Sequence, residues 1–307
     1  MASAPPLMTD DLIAHIHNCV ERYFDEDYEL VYWCHALDFG TPVVVVDAAS
    51  GTDFRRVLGA VSADGSIWQQ SSMSLKRPDK LVYFYEHLMS FALGLAKEPK
   101  SVLLLGLGGG TMARFLSRHY PGCSLTLVEK DPTIIDIAQR YFRVDMPVVA
   151  ADARDFVAAS SDVYDVILVD LYDGGGFVTA DREFWRNCFR LLAPRGCLAI
   201  NWADPTIFLQ NKPIAAECAS LSARSFSITP KSGDENLVQF CLRDPDFHIA
   251  DLARHLREFE QPRRRRTNLG RCFVSEVSPE APAGMVPAML SGHELVREID
   301  PVADTHE

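Results

Sequence analysis

Short apolar runs alternate with amphipathic stretches between Ser101 and Trp202, and this alternation constrains the fold more than any other feature of the chain. The runs at 102–105 and 166–169 are apolar throughout, as in parallel strands that helices cover on both faces. The predicted strands are Ser101–Leu105, Ser124–Val128, Val148–Val149, Asp165–Val169 and Cys197–Trp202. The predicted helices are Thr111–His119, Pro132–Phe142, Ala153–Ala159 and Arg182–Leu192. The sequence therefore predicts an α/β, Rossmann-like domain.

The N-terminal segment carries a different pattern. Residues 11–24 place apolar side chains at helical spacing, and residues 41–46 form a β-branched run. Asp64-Gly65 joins two strand-like runs, 56–60 and 66–70, which is typical of a hairpin with a tight turn. A small antiparallel β unit is expected to precede the α/β domain.

Two further patterns flank the alternating region. Apolar residues recur every three or four positions over 81–96 and predict one helix, whereas 222–229 and 237–242 predict an antiparallel pair that closes the sheet. Residues 276–307 show little periodicity and are expected to be loosely ordered. We expect three units: a helix with a small β unit (1–78), the α/β domain (79–245), and a C-terminal helix with a tail (246–307).

The formal charge of −12 over 307 residues disfavours nucleic acid as a partner, because a phosphate-binding surface needs clustered Lys and Arg. Arg263–Arg266 is a basic run that we interpret as a solvated loop. No secretory signal and no membrane-spanning run is visible. The eight cysteines include no C-x-x-C pair, so we expect reduced thiols, no zinc site and a cytoplasmic location.

A glycine-rich turn follows the first predicted parallel strand. Residues 106–111 read Gly-Leu-Gly-Gly-Gly-Thr, which fits G-x-G-x-G rather than the G-x-G-x-x-G of dinucleotide enzymes. Such a turn lets a ligand approach the backbone and the N–H groups at a helix N-terminus. With Gly106, Gly108 and Gly110 as binding residues, the turn favours an adenosyl sulfonium over NAD, although a purely structural turn remains the alternative.

Acidic residues end the next two strands. Glu129 stands where an acid can bind ribose hydroxyls, and Asp152 stands where a carboxylate can accept a hydrogen bond from an adenine amino group. Each has a structural alternative, since an acid before a helix can simply cap it, as Asp131 can. Their common position at the carboxyl ends of parallel strands favours a nucleoside site.

Asp170 ends the fourth parallel strand, and Asp173 follows in a loop that is too rich in glycine for helix caps. Transfer from a sulfonium requires an amine without its proton, and a carboxylate can hold the ammonium and then accept that proton. We predict Asp170 as the general base and Asp173 as a second group that holds the cation, with a solvated acidic loop as the alternative.

The segment from Val82 to Ala203 resembles the spermidine and spermine synthase family of polyamine aminopropyltransferases. The resemblance lies in VLLLGLGGGT at 102–111, LVEKDP at 127–132, Ala151-Asp152-Ala153 and YDVILVDLYD at 164–173. It implies the fold of S-adenosylmethionine-dependent methyltransferases, decarboxylated S-adenosylmethionine as donor, putrescine or a related amine as acceptor, and a homodimer. No metal is predicted, because the histidines fall in helices or loops without metal-ligand partners.

The resemblance also implies roles for individual residues. Glu129 would bind ribose, Asp152 adenine, and Asp170 and Asp173 the amine, with Asp170 catalytic. Tyr85 and Gln70 are similar to a tyrosine and a glutamine that line the family's amine pocket.

One position departs from the family pattern. The family's loop usually reads GGGDGG, and its acid is associated with the aminopropyl end of the donor, whereas this chain has Gly109 there. Three interpretations therefore stay open: an aminopropyltransferase, a methyltransferase that uses S-adenosylmethionine, and a catalytically silent binding protein with the same fold.

Overall fold

The structure is a computed structural model that describes residues 10–24, 27–35, 41–96, 98–173, 176–177, 181–203, 205–230, 236–260 and 272–278. A few side chains within these ranges, including that of Asp173, lie outside the described set. The Arg263–Arg266 run and nearly all of the tail at 276–307 also lie outside the described residues.

The N-terminal elements are a helix and a four-stranded antiparallel sheet, with the strands in chain order across the sheet. They are α1 (Asp10–Tyr23), β1 (Tyr28–His35), β2 (Pro42–Ser50), β3 (Asp53–Val61) and β4 (Ile67–Ser74). The predicted helix, strand and hairpin are confirmed. Strand β1 was not predicted from the sequence. Most of its side chains are half-buried, so apolar and polar residues do not alternate along the strand.

Two short helices, α2 (Phe84–Ser90) and α3 (Ala92–Leu95), replace the unbroken helix predicted over 81–96. That prediction is wrong at the start, because the Glu86 carboxylate accepts hydrogen bonds from the N–H groups of Val82 and Tyr83 and so caps the helix there. It is wrong again at Phe91, where the buried ring packs between two other aromatic rings and the backbone tightens to i→i−3 bonds.

The remaining elements build the central sheet and its covering helices. They are β5 (Ser101–Leu105), α4 (Thr111–His119), β6 (Ser124–Glu129), α5 (Pro132–Tyr141), β7 (Val149–Ala150), α6 (Ala153–Ala159), β8 (Tyr164–Val169), β9 (Tyr172–Asp173), β10 (Gly176–Phe177), α7 (Arg182–Leu191), β11 (Leu192–Asn201), α8 (Pro205–Gln210), α9 (Lys212–Ser220), β12 (Arg224–Pro230), β13 (Val238–Leu242), α10 (Leu252–Glu260) and β14 (Cys272–Glu276). A short 3-10 helix at Ile249–Asp251 precedes α10.

The central sheet has eight strands in the order β14-β12-β13-β11-β8-β5-β6-β7. The five strands from β11 to β7 are parallel, whereas β13, β12 and β14 each pair antiparallel with their neighbours. The predicted parallel α/β sheet and its antiparallel closing pair are thus confirmed. Strand β14 was not predicted, since it lies beyond the region of alternation, and the division of the chain into three units stays a prediction.

Strand register decides which side chains meet at the edge of the sheet. Leu105 of β5 pairs with Val128 of β6 and Val169 of β8, and Val169 pairs with Ile200 of β11. The next residue of each strand therefore reaches the same edge, the one at which open α/β sheets bind ligands.

The N-terminal sheet packs between α1 and the central domain. One of its faces buries Val44 and Val46 against Ile16 and Val20 of α1. The other face buries a second set of apolar side chains against α5 and the residue that follows it. This second cluster contains Val43, Val45, Leu58, Ala60, Met73, Ile134, Ile137 and Phe142. The packing sets strand β4 beside the carboxyl edge of the central sheet.

Candidate active site

A cavity of about 910 Å³ lies where the carboxyl ends of β5, β6, β8 and β11 meet strand β4 and the start of α2. Its wall includes Gly106, Gly108, Glu129, Asp152 and Asp170. The structure therefore places in one cavity the residues that the sequence predicts to bind a nucleoside and the residue, Asp170, that it predicts as the general base. A cavity of this size falls in the range of small-molecule sites.

The glycine turn packs tightly against the next strand connection. Gly106 has φ of 92°, and a Cβ added there would lie 2.0 Å from the backbone carbonyl oxygen of Asp170. Gly110, with φ of 70°, caps α4, and a Cβ there would lie 2.3 Å from Val144. Both positions exclude other side chains, because the backbone is left-handed and the space is filled. Gly108 has φ of 52° and lines the cavity.

Arg114 holds the glycine turn in place through a hydrogen bond to a backbone carbonyl, and the sequence analysis did not predict this role. The buried guanidinium donates to the carbonyl oxygens of Gly109 and Phe142 at 2.5 and 2.6 Å, and to that of Pro78 at 2.9 Å. Burial lowers the pKa of Arg114 to about 10, so the group stays charged at neutral pH. The available signal was its position as the one charged residue in the otherwise apolar run 112–116.

Gly109 occupies a closed space. A Cβ added at this glycine would lie 2.8 Å from the Ser71 hydroxyl oxygen and 2.9 Å from a ring carbon of Phe142. Ser71 comes from β4 and Phe142 follows α5, so the docked N-terminal sheet helps fill this space. An acidic side chain at this position therefore does not fit without movement of both neighbours.

Glu129, at the end of β6, is held by three backbone donors. One carboxylate oxygen accepts from the N–H of Leu107 at 3.0 Å, and the other accepts from those of Lys130 and Asp131 at 2.8 and 3.1 Å. The bond to Leu107 ties the acid to the glycine turn. Glu129 lines the cavity, and its role toward ribose stays a prediction.

Asp152 combines both interpretations that the sequence left open. Its side chain caps α6 by accepting from the N–H of Arg154 at 2.7 Å, and the residue also lines the cavity. Asp131 caps α5 in the same manner, with a bond of 2.8 Å from the N–H of Thr133. Binding of adenine by Asp152 stays a prediction.

Asp170 follows β8 and lies in the wall of the cavity between two donors. Its Oδ1 accepts from the Asn201 side-chain amide at 2.8 Å, and its Oδ2 lies 3.5 Å from the Tyr85 hydroxyl, which is a long contact. Burial raises the pKa of Asp170, and the bonds from Asn201 and Tyr85 lower it in part. A carboxylate with a raised pKa that faces a cavity is suited to accept a proton.

Tyr85 and Gln70 both line the cavity. The Tyr85 ring stacks on that of Tyr83, with 5.9 Å between ring centroids, and the Tyr83 hydroxyl donates to Gln69 at 2.6 Å. Burial and the charge of Asp170 raise the pKa of Tyr85 well above its usual value, so this hydroxyl is a donor. Their contact with an amine stays a prediction.

Asp173 lies in the short ribbon of β9 and β10, where its backbone pairs with Gly176. Its side chain lies outside the described residues, so its predicted role toward the cation stays a prediction.

Glu86 is a second buried acid in the cavity wall and was missed, because the sequence placed it inside a continuous helix. Its side chain is 4% exposed, and burial raises its pKa from 4.5 to about 7, with a further increase from the charge of Asp170. The bonds from Tyr83 and Val82 oppose this rise. Glu86 thus adds a titratable group close to the predicted base.

The described residues also bear on the expectations about metal ions and membrane spans. Among these residues, no three His, Cys, Asp or Glu side chains cluster so as to hold a metal ion. No helix among them is long and apolar enough to cross a membrane. The absence of a metal from the working protein stays a prediction.

Comparisons with known proteins agree with the resemblance seen in the sequence. Residues 82–231 match the family model described as the spermine/spermidine synthase domain. A polyamine aminopropyltransferase from Chromobacterium violaceum is 36% identical over 145 residues, which cover 45% of this chain and 56% of that relative. The chain thus matches about half the length of this curated relative.

Solved structures share the fold. A protein described as a probable spermidine synthase from Corynebacterium glutamicum has a TM-score of 0.60 at 21% identity, and the match covers 75% of this chain and 88% of that one. Human methyltransferase-like protein 13, solved in complex with SAH, has a TM-score of 0.53 at 20% identity, over 69% of this chain and 100% of that one. The methyltransferase-type fold is therefore confirmed, and residues 82–231 are similar to the spermine/spermidine synthase domain family.

Proposed function

We propose that this protein is a polyamine aminopropyltransferase that moves the aminopropyl group of decarboxylated S-adenosylmethionine to putrescine or a related amine. The observation that carries the proposal is the position of Asp170, a carboxylate with a raised pKa in the wall of a cavity that also contains the glycine turn and Glu129. The relationship of residues 82–231 to the synthase domain family supports the same reaction class.

The reaction requires one bond to form and one to break. The amine nitrogen attacks the carbon next to the sulfonium, the carbon–sulfur bond breaks, and its electron pair returns to sulfur to leave a neutral thioether nucleoside. Before the attack Asp170 accepts a proton from the acceptor ammonium, because only the neutral amine has the lone pair that forms the new bond, and the product is a secondary ammonium. The carboxylate first orients the acceptor and then removes its proton, and both effects act only when nucleophile and donor are held together.

The charges of the cavity wall suit a cationic acceptor. Among the described residues, the wall contains four acids, Glu86, Glu129, Asp152 and Asp170, and two bases, Lys130 and Arg154. Glu86 and Asp170 lie on the side of Tyr85, so an ammonium group there gains attraction in a partly desolvated site. The net charge of −12 adds a long-range attraction for a polyamine.

Methyl transfer from S-adenosylmethionine is the second candidate, and the space beside Gly109 favours it. The glycine turn carries no acid that could bind the ammonium of an aminopropyl arm, and Ser71 and Phe142 fill the place of such a side chain. The buried Arg114 guanidinium lies under the same turn. A positive charge at this point favours a donor that keeps its carboxylate.

The test is a mass-spectrometric assay of the purified protein with putrescine or spermidine, run in parallel with S-adenosylmethionine and with its decarboxylated form. Methylthioadenosine together with a longer polyamine is the expected result. S-adenosylhomocysteine together with a methylated product would establish the second candidate. Binding of nucleoside without either product would contradict both and leave a silent binding protein.

The role of Asp170 has its own test. Asp170→Asn keeps an acceptor for the Asn201 amide but removes the base, so turnover is expected to fall by about 10²- to 10⁴-fold while nucleoside binding is unchanged. Asp155→Asn, an exposed acid on α6, is the matched control and should behave as the wild type. Equal turnover in Asp170→Asn would refute the proposed base.

The homodimer and the cytoplasmic location are also proposals. The family resemblance supports the first, and the scattered cysteines, all eight of which are free thiols, support the second. Light scattering on the purified chain would test the dimer through its mass, and a monomer at micromolar concentration would contradict it.

A further inference from the structure

A chain of hydrogen bonds connects Asp170 to a second loop at the cavity wall. Asn201, the last residue of β11, donates through its side-chain Nδ2 to Oδ1 of Asp170 at 2.8 Å. The Oδ1 of Asn201 accepts from the side-chain amide of Asn236 at 2.9 Å and from the N–H of Ala203 at 3.1 Å. All four residues line the cavity, and none of the last three was predicted as a site residue.

These contacts decide the orientation of the Asn201 amide. Its oxygen must face Ala203, whose backbone N–H can only donate, and the NH₂ group must then face Asp170, which can accept; the Asn236 amide presents its own NH₂ group to the same oxygen. The opposite orientation would set a carbonyl oxygen against a carboxylate and two donors against an NH₂ group. Asn201 is 3% exposed, so its amide depends largely on these protein partners for its hydrogen bonds.

Backbone geometry at Ala203 fits the same arrangement. Ala203 has φ of 61°, a left-handed conformation that is unfavourable for alanine, and its N–H is the donor to Asn201. Strain of this kind persists where the surroundings over-determine it, and such positions cluster at functional sites. The strained residue lies two positions after Asn201 in the cavity wall.

We propose that Asn201 is a positioning residue for Asp170: its amide, oriented by Ala203 and bonded to Asn236, fixes Oδ1 and leaves Oδ2, which has only the long 3.5 Å contact with the Tyr85 hydroxyl among the described residues, to take the proton of the acceptor amine. This inference rests on the proposed function, in which Asp170 is the base. Asn201 holds the carboxylate plane in place and stabilises its ionised form, since the bond to Oδ1 is charge-assisted only while Asp170 is ionised and weakens when Oδ2 takes a proton.

The experiment measures the pKa of Asp170 directly, by ¹³C NMR titration of the full chain with labelled aspartate carboxyls and with Asp170→Asn to assign the signal. The informative variant is Asn201→Asp, which keeps the size and the two incoming bonds and replaces only the donor that faces Asp170. Asn201→Ala removes the bond without adding a charge. Asn211→Ala is the matched control, because that side chain bonds a backbone oxygen in α8 and does not line the cavity.

Loss of a hydrogen bond to a charged acceptor corresponds to a pKa increase of about one pH unit or more. We expect that increase at Asp170 in Asn201→Ala, a larger one in Asn201→Asp because of the added negative charge, and none in Asn211→Ala. The acidic limb of the pH–rate profile should move with the NMR value, with the nucleoside Kd within about twofold of wild type.

An unchanged Asp170 pKa in folded Asn201→Asp would overturn the positioning role, and that variant also decides the matter if Asn201→Ala does not fold. The titration needs no turnover, so it is separate from the test of the reaction. Absence of product in the donor assay would remove the proposed function, whereas a product with an unmoved pKa would remove only the role of Asn201.

Discussion

Replacement of Glu86 by Gln is expected to stabilise the protein, because the native carboxylate is buried at a cost. Glu86 is 4% exposed, and its Oε2 accepts hydrogen bonds from the N–H groups of Val82 and Tyr83 at 2.8 and 2.9 Å. A glutamine oxygen can accept both bonds, so the variant keeps the cap of α2 and loses only the ionisable proton. The difference in stability between the two proteins should therefore follow the titration of Glu86.

The size of the effect follows from the raised pKa. Burial raises the pKa of Glu86 from 4.5 to about 7, so the folded state binds the proton more tightly than the unfolded chain. Between these two values the folded state holds more protons, and the free energy of unfolding falls as the pH rises. At about 1.4 kcal/mol per pH unit, the full cost above pH 7 is about 3 kcal/mol.

The assay is urea unfolding of wild type and Glu86→Gln at a series of pH values from about 4 to 8. The advantage of the variant should grow with pH across this window to about 3 kcal/mol, which is a large share of the stability of an ordinary domain. Glu21→Gln, an exposed position on α1, is the matched control and should show no such trend. A constant difference across the window, or a less stable variant at pH 8, would refute the reasoning.

Further predictions concern the glycine turn. Gly106→Ala should lower the free energy of unfolding in urea by more than about 2 kcal/mol and abolish nucleoside binding in calorimetry, because its Cβ would lie 2.0 Å from the Asp170 carbonyl oxygen. Gly122→Ala is the control and should be neutral, since a Cβ there has no atom within 4 Å. Gly109→Asp should cost about 1–3 kcal/mol through contact with Ser71 and Phe142, and unchanged stability would show that this space is open.

The predictable part of the site consists of residues placed by strand ends. Gly106, Glu129 and Asp170 each follow an apolar strand, and the parallel sheet brings the ends of those strands to one edge. Periodicity locates the strands, and the fixed geometry of parallel pairing then sets the residues that follow them side by side. The same rule applies to Asn201 after β11, but an asparagine before a tryptophan carries no chemical pattern that would single it out.

Other residues of the site were not predicted, because the groups that they contact are distant in the chain or depend on the folded backbone. The cap formed by Glu86 converts the start of a periodic helix into extended backbone and turns its carboxylate toward the cavity. Arg114 reaches the carbonyl of Phe142, 28 residues further along the chain. Propensity within a short window contains no information about such contacts.

The sequence by itself determined the order of strands and helices in the α/β region, the glycine turn, and the acids at strand ends, because these depend on local periodicity and on a few residues in succession. Only the tertiary structure decided what surrounds them. The docking of the N-terminal sheet brings Ser71 to the space beside Gly109, and Phe142 fills it from the other side. The packing of β11 against β8 sets the buried Asn201 beside Asp170, and the loss of solvent around the half-buried Asp170 raises the pKa of that carboxyl. Desolvation and steric closure arise from groups far apart in the chain, so no local pattern can encode them.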